Sequence, residues 1–338
     1  MSAANEPSPP IPPEKMEQFQ RLGGIFMPYA RKRTLALYPQ SKGTARFVHY
    51  TTADSALKII KSKRLWMRNA MCMTDYREVD HGYDMLTQVL LGNKASKAEF
   101  VSSLDACVPG TALRALDNFI LNWRQIRSNT YIASVSEHYP REDLHGRLSM
   151  WRAFGTSAAR VAIVLSIPWF TGAILALNLI FSPVAYFNEA EMLEELARVS
   201  KNIRENGDFL RTIEPSMVFA TVATMLLAAV TCLKHEGFAE EVEWRAIYEP
   251  ALLAASPFMK RSIESVFGVP QVVYQLPVDA KVSPAVAGLE FSQIFDRLII
   301  GPTQYAVPMT NAFVEALADA HVPHPADKVF ASRIPIRT

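Results

Sequence analysis

The stretch Ala239-Glu240-Glu241-Val242-Glu243-Trp244-Arg245-Ala246-Ile247-Tyr248 passes from a charged segment directly into an apolar, strand-like one. Glu241 and Glu243 stand two residues apart, and at strand spacing both carboxylates point to one face. Each member of such a pair raises the other's proton affinity, so one can stabilise developing positive charge while the other activates a nucleophile. The competing reading is a solvated strand edge, because Glu-x-Glu also arises by chance in a chain with 33 acidic residues. The remaining segments have to decide between the two.

Working outward, strand-like runs occur at residues 47–50, 65–67, 131–136, 161–165, 244–248, 272–276 and 298–300. Helical periodicity is found at 16–22, 54–61, 75–91, 97–104, 111–127, 188–206, from 216 onward, and at 311–320. Thr52 and Thr74 are placed to cap the second and third of these, and residues 149–154 form a short helix or turn. Strands and helices mix without regular alternation, which predicts an α+β fold, and no internal repeat is present.

A chain of 338 residues can bury a sizeable core, and one elaborated domain over residues 14–338 is expected, with a helical insertion at about 188–234. The run Pro7-Ser8-Pro9-Pro10-Ile11-Pro12-Pro13 is too rich in proline for helix or sheet ladders, so residues 1–13 read as an extended leader. Lys plus Arg number 35 against 33 Asp plus Glu; at +2 no global field draws the protein to nucleic acid or an anionic membrane. Cys72, Cys107 and Cys232 match neither metal nor disulfide spacing, and no secretory signal is seen, so a cytoplasmic location is expected. Residues 161–181 and 216–233 carry no charge, yet the first holds Pro168 and Gly172 and a β-branched opening. The second alternates Ala, Met and Leu with threonine, so both read as buried core, with a turn at 166–168, and no membrane insertion is expected.

Three segments in order carry a resemblance: Phe47-Val48-His49-Tyr50-Thr51-Thr52; Ser134-Val135-Ser136 with Met150-Trp151; and Glu241-Val242-Glu243-Trp244-Arg245. Leu65-Trp66-Met67-Arg68-Asn69, Thr74-Asp75-Tyr76-Arg77-Glu78 and Ile299-Ile300-Gly301-Pro302 fit the same order. The set resembles a bacterial domain-of-unknown-function family of the ADP-ribosyltransferase superfamily. That resemblance implies an ADP-ribosyltransferase-like mixed β core with helical elaboration, and NAD as substrate. It assigns His49 to the ribose or cofactor backbone, Ser134 and Ser136 to the nicotinamide side, and Tyr50 and Trp151 to the cofactor pocket.

By the same resemblance, Glu243 accepts a hydrogen bond from a ribose hydroxyl and favours the oxocarbenium-like state formed as nicotinamide leaves, its charge being in place beforehand. Glu241 positions or deprotonates the acceptor, an unknown protein or nucleic acid, or water in a glycohydrolase. The resemblance further implies a toxin or antiphage defence role. In the superfamily a first-strand His accompanies a central Tyr, and Ser-x-Ser accompanies Arg; this chain combines the two patterns.

Each residue also has a plainer reading. His49 can be a strand histidine satisfied by a carbonyl, Ser134 and Ser136 can end a strand, and Trp151 can be core or pocket wall. Arg245 is expected to pair with a carboxylate inside the sheet. Asp75, Glu78, Asp80, His81 and Asp84 form the densest polar cluster; it reads as a solvated first helical turn, with Asp75 and Glu78 placed by the resemblance against the cofactor loop. Two rivals to the transferase reading follow: an interaction module that keeps the fold without chemistry, and a metal-dependent nuclease built on that acidic cluster.

Overall fold

The computed structural model describes residues 12–38, 43–73, 78–153, 159–169, 172–266 and 268–335. Its strands are β1 (Thr44–Thr52), β2 (Arg64–Asn69), β3 (Tyr131–Glu137), β4 (Arg160–Pro168), β5 (Ile180–Pro183), β6 (Glu243–Tyr248), β7 (Lys260–Val266), β8 (Val269–Pro277), β9 (Phe295–Ile300) and β10 (Val329–Ala331). The helices of the first half are α1 (Pro13–Phe26), α2 (Pro28–Leu37), α3 (Ala53–Ser62), α4 (Glu78–Leu86), α5 (Lys94–Asp105), α6 (Thr111–Leu121), α7 (Trp123–Asn129) and α8 (Leu148–Ala153). Those of the second are α9 (Gly172–Ala176), α10 (Glu189–Glu205), α11 (Gly207–Thr212), α12 (Pro215–Thr231), α13 (Phe291–Ile294) and α14 (Ala306–Asp319).

The strands join in one sheet in the order β10-β9-β4-β1-β3-β2-β8-β7, with β6 on the far edge of β3 and β5 beyond it. All pairs are antiparallel except β9 with β10. This is the α+β architecture that the mixed element order predicts. Where β3, β6 and β5 lie together, one face presents Ile132, Ile247 and Ile180 to a core built with α1, α4, α5, α6, α10 and α12. The other face presents Tyr131, Ala133, Ala246 and Tyr248 to a core that includes α3 and α14. Alternation of side chains along each strand is what feeds two cores from one sheet.

One feature of the pairing positions the candidate site. Along one edge β3 is fully laddered to β6, from Tyr131↔Tyr248 to Ser136↔Glu243. Its other edge is shared: β1 takes only Phe47↔Glu137 and Val48↔Ser136, and β2 takes only Arg68↔Ile132 and Asn69↔Tyr131. The sheet therefore opens into a wedge along residues 133–135.

Several sequence expectations shift. No turn forms at 166–168: β4 runs on through Ser166, Ile167 and Pro168, paired with Arg46, Ala45 and Thr44. Pro168 is tolerated because it ends the strand, where a missing N–H breaks little. The helix over 111–127 is two, parted at Asn122, whose amide donates to the Asn118 carbonyl at 2.8 Å. Pro13 begins α1 instead of closing the leader, since a helix's first position needs no N–H; residues 1–11 lie outside the described residues, as do Thr74 and Asp75. The helical elaboration is larger than 188–234, because α10 and α12 pack with α1, α4, α5 and α6 from elsewhere in the chain. Among the described residues no helix is long and apolar enough to cross a membrane.

Candidate functional site

Glu241 and Glu243 do not lie on one strand. A 3₁₀ turn covers Glu236–Glu241, Val242 takes a left-handed φ of 45°, and β6 begins at Glu243. The two carboxylates nevertheless meet at one ammonium: Lys234 Nζ lies 2.7 Å from Glu241 Oε2 and 3.4 Å from Glu243 Oε2. Lys234 ends the charge-free stretch after α12, and its ammonium also lies 4.5 Å from the Phe238 ring centroid. Glu243 is 7 % exposed and Arg245 1 %.

Arg245 follows two positions along β6, on the same face, and donates from Nε to Glu243 Oε1 at 2.8 Å and from Nη2 to Oε2 at 3.1 Å. This is the paired carboxylate expected for Arg245. The guanidinium also donates to the Thr231 carbonyl at 2.5 Å, tying β6 to the end of α12. Burial alone would raise the Glu243 pKa, but the Arg245 guanidinium, by charge and hydrogen bond, and then the Lys234 ammonium hold it down to about 2. The Glu243 N–H donates to Tyr186 Oη at 3.0 Å. Burial raises the Tyr186 pKa, so the phenol stays neutral beside the two acids.

Ser136 sits directly across the ladder from Glu243, and Ser134 across from Arg245. Opposed residues of an antiparallel pair share a face, so all four belong to one patch. Ser134 Oγ is buried and makes no hydrogen bond. It lies near enough to the Glu243 carboxylate to favour its ionised form without forming a hydrogen bond.

His49 stands one residue past the last β1–β3 pair, where the strands part. Strand parity directs its side chain away from the Ser134–Glu243 face. The ring instead turns into the wedge, with Nδ1 2.9 Å from the Ser134 carbonyl oxygen. A carbonyl only accepts, so Nδ1 carries the proton and Nε2 keeps a free lone pair. Burial lowers the His49 pKa against the raising effect of that carbonyl, which keeps the ring neutral. The residue retains some accessible surface. The three segments that are distant in sequence thus become neighbours on β1, β3 and β6, with His49 approaching through the wedge.

Tyr50 and Trp151 are 6 % and 3 % exposed and meet edge to face at 4.9 Å. Tyr50 Oη accepts from the Arg147 N–H at 2.8 Å, and Trp151 Nε1 donates to the His145 carbonyl at 2.7 Å. A Cβ at Gly301 would fall 3.1 Å from the Trp151 ring, so this glycine leaves room for the indole. Both aromatics belong to a small core with Val48, Ala162, Val164 and Ile299 and present no open ring face. Arg147 reaches from this cluster to the site, its Nη1 donating to the Glu240 and Glu241 carbonyls at 2.8 and 2.9 Å.

In the acidic cluster Asp75 lies outside the described residues, and Asp80 is ion-paired with Arg127 at 2.7 Å. Among the described residues no group of three His, Cys, Asp or Glu could hold a metal ion. Lys234, Tyr186 and Arg147 are the site residues that sequence reading passed over. Only Lys234 left a signal there, as a lone charge closing a long apolar run.

A family model described as a protein of unknown function (DUF2971) matches residues 150–246. The match spans α8 to β6, and so contains Trp151, Lys234, Glu241, Glu243 and Arg245 but neither His49 nor Ser134. No curated protein and no solved structure matches the chain.

Proposed function

We propose that this chain binds NAD as a substrate at the wedge on β3 and transfers ADP-ribose to a protein or nucleic-acid acceptor, or hydrolyses NAD when water takes the acceptor's place. The observation that carries the reading is a buried hydroxyl without a hydrogen-bond partner, Ser134 Oγ, near a carboxylate held ionised by its neighbours, with the His49 ring anchored on the Ser134 carbonyl and its Nε2 left as an acceptor. A fixed acceptor and a hydroxyl without a partner suit a ribose and a carboxamide, which offer both donors and acceptors. Glu243 supplies the negative charge that an oxocarbenium-like ribosyl needs without reorganisation. Its longest contact, 3.4 Å to Lys234, is the one a ribose hydroxyl would replace, since Lys234 keeps Glu241 at 2.7 Å. Glu241, less buried than Glu243, stands where an acceptor would arrive.

A second reading rests on one observation: both oxygens of Glu243 are already engaged by cations, as in an ion cluster whose role is to fasten β6 to α12. On that reading the chain is an interaction module without chemistry. Titration with NAD separates them. Saturating NAD should raise the melting temperature by a few degrees and release nicotinamide, and His49→Phe should lose both effects while remaining folded. A wild-type protein that neither shifts with NAD nor yields nicotinamide leaves only the second reading.

A further inference from the structure

β7 ends the sheet, laddered to β8 on one side and, among the described residues, paired with no strand on the other. A bare edge offers a row of unpaired N–H and C=O groups, and charges on it ordinarily guard against pairing. Here the charges have another order. In Lys260-Arg261-Ser262-Ile263-Glu264-Ser265-Val266, Lys260, Ser262 and Glu264 share one face of the sheet and Arg261, Ile263 and Ser265 the other. Lys260 has no ion pair among the described residues, and Glu264 accepts only from Ser262 Oγ at 3.1 Å and Gln275 Nε2 at 3.4 Å, both through Oε1. Along one strand these opposite charges are about 14 Å apart, too far to pair with each other.

The direction of the free backbone groups is fixed by β8. Val278 N donates to the Lys63 carbonyl on the β2 side, so by alternation Leu276, Tyr274 and Val272 also bond toward β2, and Gln275, Val273 and Gln271 toward β7. Lys260, Ser262 and Glu264 are the partners of those three, which leaves the N–H and C=O of Arg261, Ile263 and Ser265 facing outward. Ile263, 72 % exposed, is an apolar side chain on that open edge.

We propose that β7 pairs antiparallel with β7 of a second copy of this chain, about a two-fold axis through Ser262. In that register Arg261 and Ile263 of each copy exchange backbone hydrogen bonds, using the groups that face outward. Lys260 then stands opposite Glu264 of the other copy, twice, at the close non-hydrogen-bonded spacing where side chains touch. The strand complements its own inverted copy at every paired position, and Ile263 is covered by the stem of the facing Arg261. Centring one residue later would put Lys260 against Val266 and lose both charge pairs.

Seven residues a side make a modest interface, so the dimer should be concentration-dependent. Sedimentation of the full chain from micromolar to several hundred micromolar should show a monomer passing to a dimer. Lys260→Glu or Glu264→Lys alone should weaken association by about tenfold or more, because each sets like charges opposite at two places. The two together restore the pairing and should recover wild-type association. Ser262→Cys, otherwise wild type, should cross-link to a covalent dimer under mild oxidation, with the wild type and its native cysteines as control. A protein that stays monomeric throughout, a dimer indifferent to Lys260→Glu, or a charge-swapped double variant that stays weak would overturn the proposal.

Discussion

Arg245 governs how Glu243 can be tested. The guanidinium is 1 % exposed and its principal anion is Glu243, so Glu243→Gln leaves a buried cation half-paired and should destabilise the fold by about 3–5 kcal/mol. Lost turnover in that variant would therefore say little by itself. Adding Arg245→Met removes the orphaned charge, and the double variant should return to within about 2 kcal/mol of wild type in urea unfolding. If Glu243 serves the ribosyl cation, the stable double variant still releases no nicotinamide. Turnover that survives there assigns the carboxylate to architecture alone. From sequence, the Glu-x-Glu spacing was legible but its geometry was not, because a left-handed Val242 cannot be foreseen from residue type.

Glu249 makes a second prediction at this scale. It follows β6, is fully buried, has Oε1 without a partner, and its pKa is raised to about 7, first by burial. The folded chain holds a proton that the unfolded chain, at its ordinary 4.5, has released. The contribution is therefore complete below about pH 4.5 and is lost as pH rises through about 7, a change of about 3 kcal/mol. Glu249→Gln should flatten the difference in urea midpoint between about pH 5 and about pH 8. The acid-side loss expected from Glu243, held down to about 2, begins only as pH falls below about 4.5 and so lies outside that window. A variant with the wild-type slope would remove Glu249 as its source.

At the scale of elements, capping and periodicity were the dependable signals. Thr52 caps α3 by accepting from Ser55 N–H, as its position before Ala56, Ile59 and Ile60 implies, and α12 is the buried helix its composition describes. What the sequence concealed were β5 and β10, short strands whose partners lie far along the chain, β7, a polar edge strand, and the shared edge of β3, which is a property of pairing and not of any one segment. Helix contacts were equally hidden. Gly82 of α4 faces α12 so closely that an added Cβ would lie 2.8 Å from the Val230 carbonyl carbon, backbone that cannot rotate away. Gly82→Ala, favourable for an isolated helix, should instead cost about 2 kcal/mol or more as the helices are forced apart. A neutral or raised melting temperature would mean the two helices separate without penalty.

For the whole molecule, the question is whether the helical layer can open independently of the sheet. Three contacts argue that it cannot. Ile132, Ile180 and Ile247 of the sheet are counted within the helical core itself, so no apolar boundary separates the layers. Arg245 on β6 donates to the last turn of α12 at Thr231, and Lys234 carries that junction back to Glu243. Ala185 bridges to Leu233, fastening the chain after β5 to the chain after α12. Opening the helices would expose those isoleucines and strand a buried guanidinium, which makes the intermediate costlier than either end state. The expected outcome is a single calorimetric transition, with slow amides of α12 and of β3 and β6 exchanging at one common free energy. Exchange of α12 at a distinctly lower free energy than β6 would show that the layers unfold separately, and the ion cluster at Glu243 would then be a latch between two units.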